Sequence, residues 1–250
     1  LSYSRRHYHL LYGNLREVDS LPPYSKNQAI KSLIILSKYL GIHEQFKKRL
    51  KDYGIKLHRS DAFDSFLRIF NNNTSDLLLW YRDAHNILRD NERLFLRFTA
   101  LTGLRKIEAI NSFNLIIKLA RLNKLGDYYD PELQLLQHFI FKELFIREKK
   151  NVYISFVHKD LISQITNSQE VTYESIRKRL LRKNMKLRIN ELRDYYGTFM
   201  VRHGLIREEV DLLQGRIPKA IFIRNYWSPQ MKELGDRTLK AVNELSQQFN

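Results

Sequence analysis

No cysteine occurs anywhere in the 250 residues. That single absence excludes disulfides, thiolate zinc sites and cysteine nucleophiles, and makes a cytoplasmic protein the default expectation. No apolar run approaches the roughly 20 residues that a membrane-spanning helix needs, and no signal-peptide pattern opens the sequence. There is no internal repeat and no low-complexity segment. Carboxylates are scarce relative to cations: 27 Asp and Glu face 43 Lys and Arg, a net charge of +16. They are also dispersed. No tight Asp/Glu/His cluster has metal-ligand spacing, which disfavours a metal-dependent nuclease.

What is present is enough apolar material, 43% of residues, to build one large or two modest cores. The positive excess runs through the whole chain. Residues 1–73 carry 13 basic and 6 acidic residues, and residues 74–250 carry 30 and 21. Both parts therefore favour a polyanionic partner, with nucleic acid ahead of an anionic membrane surface.

Most of the chain reads as helix. In 26–57, Ala29, Leu33, Leu36 and Leu40 fall at helical spacing, widened by Ile30 and Ile34, until Gly41 stops the run. A basic helix then ends at Gly54, and 61–70 completes a small helical unit. The polar NNNTS at 71–75 is the best linker. Residues 76–89 and 91–102 predict two further helices. The strand-like segments are FIFKELFI and NVYISFV, joined by REKK, which predicts a β-hairpin over 139–157. The expected architecture is mainly α with a small antiparallel sheet: a helical domain over 1–73 and a larger domain over 74–250. The tail is neutral, and Met231, Leu234, Leu239, Val242, Leu245 and Phe249 mark one helical face that Gly235 interrupts.

Three segments stand out. In LTGLRKIEAI, Gly103 breaks one helix and the next is expected to start near Leu104, with Arg105 in its first turn. A cation there opposes the helix dipole unless an anion is near. The run ESIRKRLLRKNMKLR holds Arg177, Lys178, Arg179, Arg182, Lys183, Lys186 and Arg188 with no acid among them, a cluster suited to phosphates. In INELRDYYGTFMVRHG, Arg193 stands among Leu192, Tyr196 and Met200, a stripe that Tyr195 and Phe199 can extend. A buried arginine there calls for a carboxylate or phosphate partner, and Glu108 is one candidate. Beyond it, Gly215 and Pro218 bracket a turn holding Arg216, and Tyr226 lies ten residues on.

With these segments in order, the chain resembles the tyrosine recombinases, or phage-type integrases, most closely those of archaeal plasmids and viruses. LTGLRKIEA is similar to that family's first arginine box, T-G-x-R-x-x-E. NELRDYYGTFMVRHG is similar to the second, H-x-L-R-H-T-F-A-T-x-x-x-x-x-G, in register at Leu192, Arg193, Tyr196, Thr198 and Gly204. VDLLQGR matches I-x-x-L-x-G-H, and Tyr226 falls where the family's nucleophile stands. The unit containing SLIILSKYLGI is similar to the core-binding domain. Two positions depart from the pattern. Asn190 occupies the place of the first histidine, so a histidine-type base is missing there, and Arg216 ends the third box.

The resemblance implies site-specific DNA strand exchange on double-stranded DNA, with a homo-oligomer, a tetramer on its site, and no need for metal, ATP or another cofactor. Tyr226 would attack a backbone phosphorus, leaving a 3′-phosphotyrosyl link and a free 5′-hydroxyl. Arg105, Arg193 and Arg216 would hold the phosphate, since a guanidinium is permanently charged and donates in a planar fork. A free tyrosine has a pKa of ~10, so nearby cations must favour the phenolate. Lys150, with Lys149 as the alternative, would protonate the leaving oxygen. Glu108 reads as structural. The C-terminal helix over 229–250 would dock on the next protomer, with packing on its own chain as the alternative. Two other readings remain open: a type IB topoisomerase, with the same nucleophile and no synapsis, and a non-catalytic DNA-binding descendant, which Asn190 allows.

Overall fold

The computed structural model describes residues 2–55, 63, 66, 74–148, 150–217 and 230–249. The chain divides into two compact units, Leu1–Asn72 and Asn73–Asn250. The helix expected over 61–70 lies outside the described residues apart from positions 63 and 66, as do residues 71–73 of the NNNTS segment. Thr74 and Ser75 are not linker, because they begin a helix.

In the first unit, α1 (Ser2–His7) leads through two 3-10 turns into α2 (Pro23–Tyr39) and α3 (His43–Asp52). Pro23 opens α2, where its missing N–H costs nothing. Leu10, Leu11, Leu15 and Val18 from the turns meet Ile30, Leu33, Phe46 and Leu50 in one small core. The buried stripe of α2 runs Ala29, Ile30, Leu33 and Ser37, whereas Leu40 is 47% exposed. Ser37 is accommodated because its hydroxyl donates to the Ile34 carbonyl (2.8 Å). Arg49 ties α3 to the N-terminal turns through the carbonyls of Leu11 and Gly13.

The second unit is built on α4 (Thr74–Ile87), α5 (Asp90–Thr102) and α6 (Lys106–Arg121). Phe95, Phe98 and Phe113 pack α5 on α6 edge to face. Three short antiparallel strands follow: β1 (Tyr129–Asp130), β2 (Leu135–Gln137) and β3 (Ile154–Phe156), in the order β1-β2-β3 with Leu136 opposite Ser155. The remaining helices among the described residues are α7 (Lys142–Phe145), α8 (Lys159–Thr166), α9 (Tyr173–Arg182), α10 (Ile189–Arg202), α11 (Arg207–Leu213) and α12 (Met231–Gln248). The molecule is thus mainly α with a small antiparallel sheet.

The sheet is not the one the sequence suggests. FIFKELFI contributes the end of a 3-10 turn (His138–Ile140) and α7, while the partner of β3 is the preceding Leu135–Gln137. Phe141, Leu144 and Phe145 fall at helical spacing, and all three pack into the core. His138 fixes this arrangement from the inside: it is fully buried, with Nδ1 2.6 Å from the Tyr128 hydroxyl and Nε2 2.9 Å from Ser155 Oγ. Burial pushes its pKa down to about 3, so the ring is neutral at ordinary pH.

The tail folds back as a continuous helix on its own unit, burying Leu234, Leu239, Ala241, Val242 and Leu245. Gly235 does not interrupt it. A Cβ there would stand 2.8 Å from the Phe156 ring, so the glycine is what lets α12 lie against β3.

Candidate active site

The first arginine is placed by a glycine. Gly103 ends α5 in the left-handed conformation (φ +61°), and a Cβ would come within 2.3 Å of the Tyr196 ring on α10. Both constraints demand glycine. Arg105 follows as the N-cap of α6, one residue ahead of the helix rather than within its first turn. Its anion is Glu108: Arg105 Nη1 donates to Oε1 (2.7 Å) and the Arg105 amide to Oε2 (3.0 Å). Glu108 is completely buried. A cation at a helix start is therefore tolerated because the helix supplies the counter-charge from its own first turn.

Arg193 projects from the start of α10 and is 6% exposed. Among the described residues its partners are main-chain carbonyls rather than a carboxylate. Nη1 donates to the Gly103 carbonyl (2.7 Å) and Nη2 to the Gln214 carbonyl (2.6 Å), while Gln214 Nε2 returns a bond to the Arg193 carbonyl (3.0 Å). Main-chain oxygens orient the guanidinium without neutralising it. Burial first, and then the charge of Arg105, push its pKa down to about 10; Glu108 opposes this and Arg216 adds to it. The group stays fully cationic at neutral pH, close enough to two other guanidiniums to feel them.

Arg216 lies just past α11, after Gly215 in the left-handed conformation (φ +68°). It is the most open of the three, 55% exposed at the side chain, with Asp211 Oδ1 3.4 Å away. A Cβ on Gly215 would fall 1.8 Å from the Asn151 carbonyl oxygen, so this turn sits directly on the backbone at 151–152. The same Asn151 carbonyl accepts from Arg105 Nη1 (3.2 Å). Three distant segments thus meet at Asn151, and the residue before it is Lys150, which is exposed and unpaired among the described residues. Asn190 is exposed on the first turn of α10, three positions before Arg193 and on the same face. Tyr226 and Lys149 lie outside the described residues.

Glu108 also accepts from Arg147 Nη2 (3.1 Å), and Asp211 lies near both Arg207 and Arg216. One carboxylate shared by two guanidiniums leaves an excess of positive charge. Arg216 and Arg147 carry that excess to the surface, with 55% and 37% of their side chains exposed. A cavity of about 430 Å³ lies elsewhere, between α5, α8 and α12, lined by Arg97, His158 and Ser246 among others. It contains none of these arginines. Among the described residues no three His, Asp or Glu side chains come together to hold a metal ion, and no helix is long and apolar enough to cross a membrane.

The basic run behaves differently from its sequence. It is not one helix: α9 ends at Arg182, Asn184 turns with φ +54°, and Arg188 caps α10. Nor is it uncompensated. Arg177 and Lys178 face Glu174 (3.1 and 4.0 Å), Arg188 bonds Glu191 (2.6 Å), and Arg179 Nε bonds the buried Glu92 (2.7 Å). Arg182, Lys183 and Lys186 remain exposed without ion pairs among the described residues. Glu92 is a hub that also takes the Ser175 hydroxyl and the Arg89 amide. Burial pushes its pKa up, but these donors and Arg179 outweigh it and hold the carboxyl below its usual range.

Sequence reasoning missed Gln214, Asn151 and Arg147. Gln214 stands beside Gly215 in the third box, and Arg147 belongs to REKK, so adjacency was the available signal for both.

A family model described as archaeal phage integrase matches residues 115–243, just over half of the chain. No curated protein and no solved structure matches.

Proposed function

This chain belongs to the archaeal phage integrase family, and on that premise we propose that it cuts and rejoins duplex DNA by tyrosine transesterification. The observation that carries the reading is the meeting of Arg105, Arg193 and Arg216 where Gly103, Asn151 and Gly215 adjoin. A pentacoordinate phosphorus gathers negative charge on its non-bridging oxygens. Pre-oriented guanidiniums, held by carbonyls and by a shared carboxylate, are suited to receive that charge without reorganising.

In this reading Tyr226, its phenolic proton released to solvent, attacks phosphorus as the phenolate and becomes covalently joined to the 3′-phosphate. The 5′-oxygen departs with its electron pair and takes a proton from Lys150 or Lys149. The bond energy is kept in the phosphotyrosyl link, and the reverse attack by a 5′-hydroxyl reseals the strand. Arg105 and Arg193 clamp the phosphate, and Arg216 donates from the open side. Asn190 contributes a hydrogen bond where a proton carrier would otherwise stand. Arg182, Lys183 and Lys186 are the free cations for flanking phosphates. Unit 1, with its own excess of basic residues, adds contacts to the duplex, and strand exchange requires four chains on two sites.

The test uses nicked suicide duplexes in EDTA, in which the cleaved strand diffuses away and a covalent adduct accumulates. The reading expects a denaturation-resistant adduct with the unaltered chain and none from Tyr226→Phe. Tight binding without an adduct on a verified site would move the assignment to a DNA-binding descendant. Supercoil relaxation by single chains without a matched site would move it to a type IB topoisomerase.

A further inference from the structure

Arg147 has no part in the boxes, yet it is bonded to both the arginine cluster and the lysine turn. Its Nη2 donates to Glu108 Oε1 (3.1 Å), the same oxygen that Arg105 Nη1 holds at 2.7 Å. Its amide donates to Asn151 Oδ1 (2.7 Å), closing a turn whose base is the bond from the Val152 amide to the Phe145 carbonyl (3.2 Å). Asn151 passes its carbonyl to Arg105 (3.2 Å), and its Nδ2 donates to the Tyr153 hydroxyl (3.2 Å). Glu108 and Asn151 therefore each touch Arg105 and Arg147, and Lys150 directly precedes Asn151. Arg147 Nε is buried with no hydrogen-bond partner among the described residues. A turn built for stability alone would avoid such an unmet donor.

We propose that Arg147 is a positioning residue for the general acid: through Glu108 and Asn151 it fixes the backbone at Asn151, and with it the adjoining Lys150 ammonium, in register with the Arg105 guanidinium. This rests on the reading above, in which the lysine proton passes to the 5′-oxygen as the phosphorus–tyrosine bond forms and the phosphorus–5′-oxygen bond breaks. Arg147 touches neither phosphate nor proton. It acts by where it holds the lysine.

A suicide duplex with sulfur in place of the bridging 5′-oxygen separates the possibilities, because a thiolate leaves without needing a proton. The double variant Lys149→Ala/Lys150→Ala should lose roughly 100-fold in cleavage of the oxygen substrate and return to near the unaltered rate on sulfur. Arg147→Gln should lose about ten-fold or more on oxygen and likewise recover on sulfur, whereas Arg105→Ala should be slow on both. Recovery on sulfur also shows that the variant is folded. If the lysine variant recovers but Arg147→Gln is equally slow on both substrates, the positioning role is wrong and the general-acid reading stands. If the lysine variant does not recover, both are overturned.

Discussion

Two regions of the second unit hold arginines in opposite ways. On α9 and its continuation, three arginines each have a carboxylate, Arg179 with Glu92, Arg188 with Glu191 and Arg177 with Glu174, while Lys178 is at the outer limit of pairing, 4.0 Å from Glu174. At the meeting of α6, α10 and the turn after α11, Arg193 is held by two carbonyls, and Arg105 shares its one carboxylate with Arg147. The first arrangement offsets charge, and through Arg179 and Glu92 it ties α9 to α5. The second fixes direction and leaves charge unspent. A count of basic residues along the sequence ranks the α9 run first, but the field available to an anion is set by how each cation is satisfied.

The comparison can be broken most forcefully at Arg193. Replacing it with alanine removes a donor set and leaves the Gly103 and Gln214 carbonyls unmet. Adduct formation should fall by a factor of about 10² to 10³ or more, while binding of intact duplex weakens far less. Arg193→Lys should recover little, since one ammonium cannot span both carbonyls. Equal losses in binding and cleavage would mean that Arg193 is only another phosphate contact.

Glu92 tests the other side. Glu92→Gln should cost about 1–3 kcal/mol in chemical denaturation, by stranding Arg179 and the Arg89 amide, and should leave the cleavage rate of the folded protein unchanged. The same carboxyl gives a pH dependence. Its folded pKa lies below the unfolded value, so its contribution is complete above the unfolded pKa of 4.5 and is lost as pH falls through the folded one. Unfolding free energy measured from pH 6 downward should drop on the acid side, and Glu92→Gln should flatten that drop. A cleavage rate that falls with Glu92→Gln would erase the contrast between the two regions.

The smallest effect belongs to the three free cations. Replacing Arg182, Lys183 and Lys186 with serine should reduce the slope of log affinity against log salt by about 2–3, whereas Arg177→Ser with Lys178→Ser should reduce it by less than about one. Equal changes would show that DNA displaces Glu174 and that pairing in the free chain is irrelevant.

What the sequence made legible was local. The spacing of Gly103, Arg105 and Glu108 lies within six consecutive positions, and so does that of Asn190 and Arg193. The helices of the second unit were readable because their apolar stripes are long. What it hid depends on contacts between distant residues. Glu92 is 87 positions from Arg179, so the basic run read as free. Arg193 finds its acceptors 90 and 21 positions away, in carbonyls that every residue carries and no side-chain pattern can announce. The misplaced strand has a different cause: an aromatic run can satisfy alternation or helical spacing, and the pocket formed by Tyr128, His138 and Phe145 selects the helix. Gly235 has the composition of a helix break, and only the Phe156 ring beside it, distant in sequence, explains why a glycine stands within a continuous helix.

The central claim is that the arginine cluster serves a tyrosine nucleophile at position 226. Its most direct test is to digest the trapped protein–DNA adduct and identify, by mass spectrometry, the side chain that carries the nucleotide. The account predicts a single phosphotyrosine at Tyr226. A nucleotide on any other residue, Tyr153 included, would contradict it.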